Sequence, residues 1–257
     1  MMNWFEDFSQ KGYTKVSTVD VNALNSIREF ICEQVKACFN IKINEDDSEI
    51  FLDQFHTFGV LDAELNAGKL KVIEKCNQKG DIGKLLYQAF SPYIDQLLGP
   101  DLLIQKNTNI ILFPPHYQHY SEPHRDSPQN SPFELVFWIP LTRCYKSKSL
   151  YILDGKDSKA ALEVLAQKES FSEFETFCRV KGQYLDARFG EACIFWPGLV
   201  HGSDVNIEEG TRWTLNMRFK NVYSPNGAKD SLQFFDILKL SPITQLSIEF
   251  EKERALL

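Results

Sequence analysis

Phe189-Gly190-Glu191-Ala192-Cys193-Ile194-Phe195-Trp196-Pro197-Gly198 reads as a turn, a buried strand and a second turn, and it delivers His201-Gly202-Ser203 at the start of the next segment. A short apolar run closed on both sides by Gly and Pro is the signature of a strand inside a sheet. The same texture fills the chain from Leu102 onward: Asn109 to Phe113, Glu134 to Pro140, Ser149 to Leu153, Ala192 to Trp196 and Trp213 to Phe219 are short runs bounded by Pro, Gly, Ser or Asn. Strands punctuated this way predict a mainly β fold with flanking α, a jelly roll with helices packed outside it.

Upstream the period changes. Val21, Leu24, Ile27, Phe30, Ile31 and Val35 fall at helical spacing after Asp20, a good N-cap, and Leu85, Leu86, Phe90, Tyr93, Leu97 and Leu98 do the same before the Gly99-Pro100 stop. The expectation is a single domain over 1–257, with a mainly helical scaffold at 1–100, a jelly-roll core at 101–223 and a C-terminal extension at 224–257. A helical insertion is expected between Ser158 and Val180, where Leu162, Leu165, Phe174 and Phe177 stand among charges. A surface helix is its default reading; a place over the mouth of the barrel is the other.

The chain has 257 residues, 43% of them apolar and 13% aromatic, enough to bury one sizeable core. Its net charge of −7 argues against nucleic acid or an anionic membrane as a partner, since both need a basic surface. The acidic start Met1-Met2-Asn3-Trp4-Phe5-Glu6-Asp7 has no apolar signal region, and no run approaches the length of a membrane span. Cys32, Cys38, Cys76, Cys144, Cys178 and Cys193 show no CxxC spacing and read as reduced and mostly packed, which points to the cytoplasm.

The chemistry begins at His124-Arg125-Asp126. Residues two apart on an extended backbone point the same way, so an imidazole and a carboxylate here can grip one ion from one strand end. Alone, the triplet is more often a His-Asp hydrogen bond in a surface loop. It is also not a kinase catalytic loop, because Asn130 lies four residues beyond Asp126 rather than five and no DFG or glycine-rich phosphate loop accompanies it. His201 changes the reading: two histidines and a carboxylate are the ligand set of a non-haem iron(II) centre with an open face. Arg212, eleven residues after His201, opens the run Trp213-Thr214-Leu215-Asn216-Met217-Arg218-Phe219 and can send a guanidinium inward beside the metal. That planar fork suits the far carboxylate of 2-oxoglutarate while the 2-oxo acid end chelates iron.

The order HxD, GE-x-x-x-F and HGS-x-x-N, with arginine eleven residues after the second histidine, resembles the phytanoyl-CoA dioxygenase-like branch of the iron(II)/2-oxoglutarate oxygenases. The resemblance covers roughly Leu102 to Asn221, and Phe8-Ser9-Gln10-Lys11-Gly12-Tyr13 is similar to the first helix and strand of that branch. It implies a double-stranded β-helix of cupin type, with His124, Asp126 and His201 as catalytic iron ligands, Arg212 as co-substrate clamp, and Fe(II), 2-oxoglutarate and O2 as the cofactor set. Phe137-Trp138-Ile139-Pro140-Leu141-Thr142 and Leu240-Ser241-Pro242 most resemble oxygenases of bacterial carbohydrate-biosynthesis clusters. Many members carry GD at Gly190-Glu191 and a PGSH segment where this chain has Lys148-Ser149-Leu150-Tyr151-Ile152-Leu153.

Gln105, Asn107 and Asn109 alternate before the HxD turn, and Gln105, Asn107 and Thr214 join Arg212 as expected co-substrate contacts. Arg218 shares the parity of Arg212 and is the alternative clamp. His116 and His119 form an HxxH, but Pro114-Pro115 before and Glu122-Pro123 after it make a loop, so they read as pocket-lining or solvated rather than as ligands. Trp138 and Trp213 read as core. Arg143, Lys146, Lys148, Lys156 and Lys159 read as a solvated loop, or as the receiver of a phosphorylated or nucleotide-linked substrate. The expected function is hydroxylation of a small polar molecule, carbohydrate-like or nucleotide-linked. The rivals are a cupin-like metal isomerase or epimerase, and a non-catalytic binding module on the same barrel.

Overall fold

Asp20 caps the first long helix, its carboxylate accepting from the N–H groups of Asn22 and Ala23 at 3.0 and 3.1 Å, donors that a helix start leaves unpaired. The computed structural model describes residues 3–43, 45–167, 170–228 and 231–254. Its helical part holds α1 (Trp4–Lys11), strand β1 (Tyr13–Ser17), α2 (Val21–Cys38), α3 (Ser48–Asp53), α4 (Asp62–Lys79) and α5 (Ile82–Leu98). The strands that follow are β2 (Leu102–Gln105), β3 (Asn109–Phe113), β4 (Glu134–Pro140), β5 (Leu150–Ile152), β6 (Gln183–Tyr184), β7 (Glu191–Phe195), β8 (His201–Ser203), β9 (Arg212–Asn221) and β10 (Phe235–Lys239). Helices α6 (Gly155–Gln167) and α7 (Phe171–Lys181) stand between β5 and β6, and a last helix covers Pro242–Arg254.

The strands pair antiparallel in two sheets. The larger runs β1-β7-β4-β9-β2-β10 with β3 also on β9, and the smaller runs β6-β5-β8. β9 pairs with β4 along one edge; along the other, β3 takes its first half and β2 its end. β1, inside the helical part, pairs with β7, and β10, inside the C-terminal extension, pairs with β2, so both flanking segments complete the large sheet.

Side-chain alternation divides the core. Leu135, Phe137 and Ile139 of β4, Ala192 and Ile194 of β7, and Trp213, Leu215, Met217 and Phe219 of β9 face one way and share a cluster with the buried faces of α2, α4 and α5. Phe55 meets Trp213 edge-on at 5.2 Å and Phe90 meets Phe137 at 5.5 Å, which ties helix to sheet. Val136, Trp138, Cys193 and Phe195 face the other way and share a second cluster with Leu150 and Ile152 of the small sheet. The two sheets therefore pack against each other, and β9 sends Arg212, Thr214, Asn216 and Arg218 toward that interlayer.

The insertion expected at 158–180 is the α6–α7 pair. Phe174, Cys178 and Ala161 pack on Tyr151 and Leu153, the outer face of the small sheet, so it backs the sheet rather than roofing its mouth. All six cysteines are free, five of them buried. No helix among the described residues is long and apolar enough to cross a membrane.

Candidate metal centre

His201 begins β8 and His124 lies on the loop between β3 and β4, yet the two backbones are stitched together. His124 N–H donates to the His201 carbonyl and His201 N–H to the His124 carbonyl, both at 2.9 Å. Ser127 N–H donates to the Pro197 carbonyl at 3.0 Å, anchoring the loop just after Asp126. Gly202 permits this docking: a Cβ there would sit 2.5 Å from the Tyr151 hydroxyl and 3.0 Å from the Ser121 carbonyl. Donor atoms of His124, Asp126 and His201 consequently lie within 4.8 Å of one another.

Both candidate histidine ligands are held from behind. His124 Nδ1 is 2.7 Å from the Glu122 carbonyl and His201 Nδ1 is 3.0 Å from the Leu199 carbonyl. A carbonyl only accepts, so Nδ1 carries the proton in both rings and Nε2 keeps a lone pair for a metal. Burial pushes the His201 imidazole down to about 4, so it is the neutral, metal-binding form at physiological pH. Burial alone would raise the Asp126 carboxyl, but the His201 imidazole and the Arg218 guanidinium outweigh it and hold the carboxyl below its ordinary value. With His201 neutral above about pH 4, Arg218 is the cation that persists; its Nη2 lies 2.9 Å from Asp126 Oδ2.

The triad opens on a cavity of about 280 Å³ between the sheets, walled by Asn109, Ile111 and Phe113 of β3, Trp138, Phe195, Tyr120, and Arg212, Asn216 and Arg218 of β9. Arg212 is only 4% exposed. Its Nη1 donates to the Ser149 carbonyl at 3.1 Å, and its guanidinium lies over the Phe113 and Trp138 rings at 5.4 and 5.7 Å. Burial lowers it to about 10, which still leaves it charged at neutral pH. Among the described residues no carboxylate pairs with it, and Arg212 Nε, Thr214 Oγ1, Asn216 Oδ1 and Trp138 Nε1 are buried without a hydrogen-bond partner. Uncompensated buried polar groups are costly, and three of these four, on Arg212, Asn216 and Trp138, belong to residues that line the cavity.

The structure thus gathers His124, Asp126, His201 and Arg212, and it separates others. Gln105 and Asn107 do not reach this cavity; Gln105 Nε2 bonds the Asn107 carbonyl at 2.6 Å, and both line a different cavity beside Gly83 and Asp236. The chain bends between β2 and β3, so the alternation does not carry across, and Asn109 alone of the three faces the triad. Thr214 lies on the inner side of β9, fully buried between Ile111 and Pro140 and not on the cavity wall. His119 lines a separate cavity with Tyr117 and Lys69, while His116 N–H donates to the Asn206 carbonyl at 2.7 Å. Trp213 is core, and so is Trp138, whose ring also borders the cavity. None of Arg143, Lys146, Lys148, Lys156 and Lys159 lines it, and Lys148 is buried and paired with Asp53. Asn216 was detectable from its parity with Arg212 and Arg218; Tyr120 and Phe195 carried no comparable signal.

No protein-family model matches the chain, and no curated protein matches it. Solved structures do. The chain is similar to a non-heme monooxygenase, ThoJ, in a nickel complex, with 13% identity over 93% of this chain and 84% of that one and a TM-score of 0.57. It is similar to SnoK, a non-heme alpha-ketoglutarate-dependent carbocyclase from nogalamycin biosynthesis, with 13% identity over 94% of each chain and a TM-score of 0.56. It is also similar to SnoN, the corresponding epimerase, with 14% identity over 87% of this chain and 84% of that one and a TM-score of 0.50. At such identities the likeness is one of fold: helices around a mostly antiparallel sheet.

Proposed function

We propose that the protein is a non-haem iron(II)- and 2-oxoglutarate-dependent oxygenase acting on a small molecule, its two sheets forming the walls of a double-stranded β-helix. The observation that carries this reading is Arg212, a buried cation that has no acidic partner among the described residues and stands on the wall of the cavity that holds the triad. Two imidazoles and one carboxylate on one side of an ion are the donor set that suits iron(II) and leaves positions open. When bound, iron would bring dioxygen, the oxidant, together with 2-oxoglutarate, which supplies two electrons as it is decarboxylated to succinate, and so enable attack on an unactivated carbon.

The residues of this chain do the rest. His124, Asp126 and His201 fix the metal, and the carbonyls of Glu122 and Leu199 hold the rings in the tautomer that ligation needs. Arg212 takes the far carboxylate of 2-oxoglutarate in a site dry enough for that pair to be strong. Phe113, Trp138 and Phe195 keep water from the reacting centre. Asn109 and Asn216, direct partners across β3 and β9, offer amides to a polar substrate. Hydroxylation is the default outcome, and a carbohydrate-like substrate fits these amides. A cupin-like isomerase would have no use for a buried arginine that lacks a carboxylate partner among the described residues.

The test is co-substrate binding and turnover. The parent protein should release succinate from 2-oxoglutarate only with both iron(II) and oxygen. Arg212→Met should lose the buried ion pair, at a cost on the order of 2–5 kcal/mol or about 30-fold to several thousand-fold in 2-oxoglutarate affinity, with iron affinity little changed. Unaltered 2-oxoglutarate affinity in Arg212→Met would sink the reading.

A further inference from the structure

Of the three ligands, only Asp126 has two equivalent donor atoms. A carboxylate that spent both oxygens on the ion would occupy a position that a chelating co-substrate or dioxygen needs. Arg218 addresses that choice. It projects from the inner side of β9 opposite Val136, and its Nη2 lies 2.9 Å from Asp126 Oδ2. Its Nε faces Glu134 Oε2 at 3.7 Å. Glu134 is itself buried and fixed, its Oε1 accepting from the Ser131 N–H at 3.0 Å. The guanidinium is therefore held at its root by a central strand and at its tip between two carboxylates, one of them a ligand.

We infer that Arg218 is a positioning residue that engages Oδ2 of Asp126, restricts the carboxylate to one donor oxygen, and so preserves the open positions of the metal. This rests on the oxygenase reading for the identity of the co-substrate, but not for the arginine's effect on the carboxylate. It also separates the two arginines of β9 by task. Arg212 has no carboxylate partner among the described residues and awaits an anion, whereas Arg218 already holds the anion it serves.

The experiment uses the full chain loaded anaerobically with cobalt(II), read by its visible spectrum without co-substrate and by calorimetric titration with 2-oxoglutarate. Arg218→Ala should alter the cobalt spectrum relative to the parent and weaken 2-oxoglutarate binding roughly 10- to 100-fold, the usual effect of removing a group that orients a metal ligand. Arg218→Lys, whose ammonium can still engage Oδ2, should stay within a few-fold of the parent and keep its spectrum. Should Arg218→Ala not fold, Arg218→Gln, neutral and long enough to fill the space, carries the same expectation. An unchanged cobalt spectrum in the neutral variant overturns the inference, and if co-substrate binding is nonetheless lost, Arg218 is a direct clamp. A parent protein that binds cobalt but not 2-oxoglutarate, with the spectrum still shifted in the variant, overturns the co-substrate reading and leaves the role of Arg218 standing.

Discussion

His201 keeps its imidazole in a place where a proton is unwelcome. It is 8% exposed, and burial lowers it from the ordinary 6.5 to about 4. The unfolded chain takes up that proton near pH 6.5 while the folded chain resists it down to about 4. The contribution of His201 to the stability of the metal-free protein is therefore full above pH 6.5 and is lost as pH drops through this window. The loss is on the order of 3 kcal/mol for a shift of this size. Denaturant unfolding of metal-free protein between pH 7 and pH 4 should show that slope, and His201→Gln should flatten it. An equal slope in the variant would assign the effect to other groups.

At the scale of elements, β8 is the sensitive piece: three residues place one candidate ligand, and its middle residue has no room for a side chain. Gly202→Ala drives a methyl into the Tyr151 hydroxyl and the Ser121 carbonyl, overpacking that costs about 1–3 kcal/mol. We expect a lower melting temperature together with weaker metal binding, because His201 shifts with its strand; melting at the parental temperature with parental metal affinity would contradict this. Much of the element pattern was legible beforehand. The apolar runs 109–113 and 134–140 match β3 and β4 residue for residue, since Pro and Asn punctuate them and both faces of β4 are buried. α4 was harder to see because its buried face is small and broken, with Leu65, Gly68, Val72 and Cys76, and Gly68 receives the Phe39 ring where a side chain would be. The order and spacing of His124, Asp126, His201 and Arg212 singled out four residues that the fold brings to one cavity. The pairing of Lys148 with Asp53 could not, since the partners are far apart in sequence and local pattern is blind to such pairs.

For the whole molecule, the helices stand behind the centre, covering the face of the large sheet opposite the cavity. The side of the large sheet that faces them carries Phe137, Ile139, Ile194, Trp213, Leu215 and Phe219, each almost completely buried. A fragment of residues 102–221 would expose that surface, an apolar patch far larger than a soluble monomer tolerates. It should aggregate on expression, whereas the full chain should not; a soluble, metal-binding fragment would show that the sheets stand alone. The same two-sidedness constrains how such a protein can change. β9 has no idle positions between Arg212 and Arg218: odd-numbered residues answer to the helices and even-numbered ones to the interlayer or cavity. A single inserted or deleted residue there exchanges the two sets at once. Changes of chain length that redraw the cavity wall are therefore confined to loops such as the one that carries Tyr120, whereas β9 admits only one-for-one replacement at positions such as Asn216.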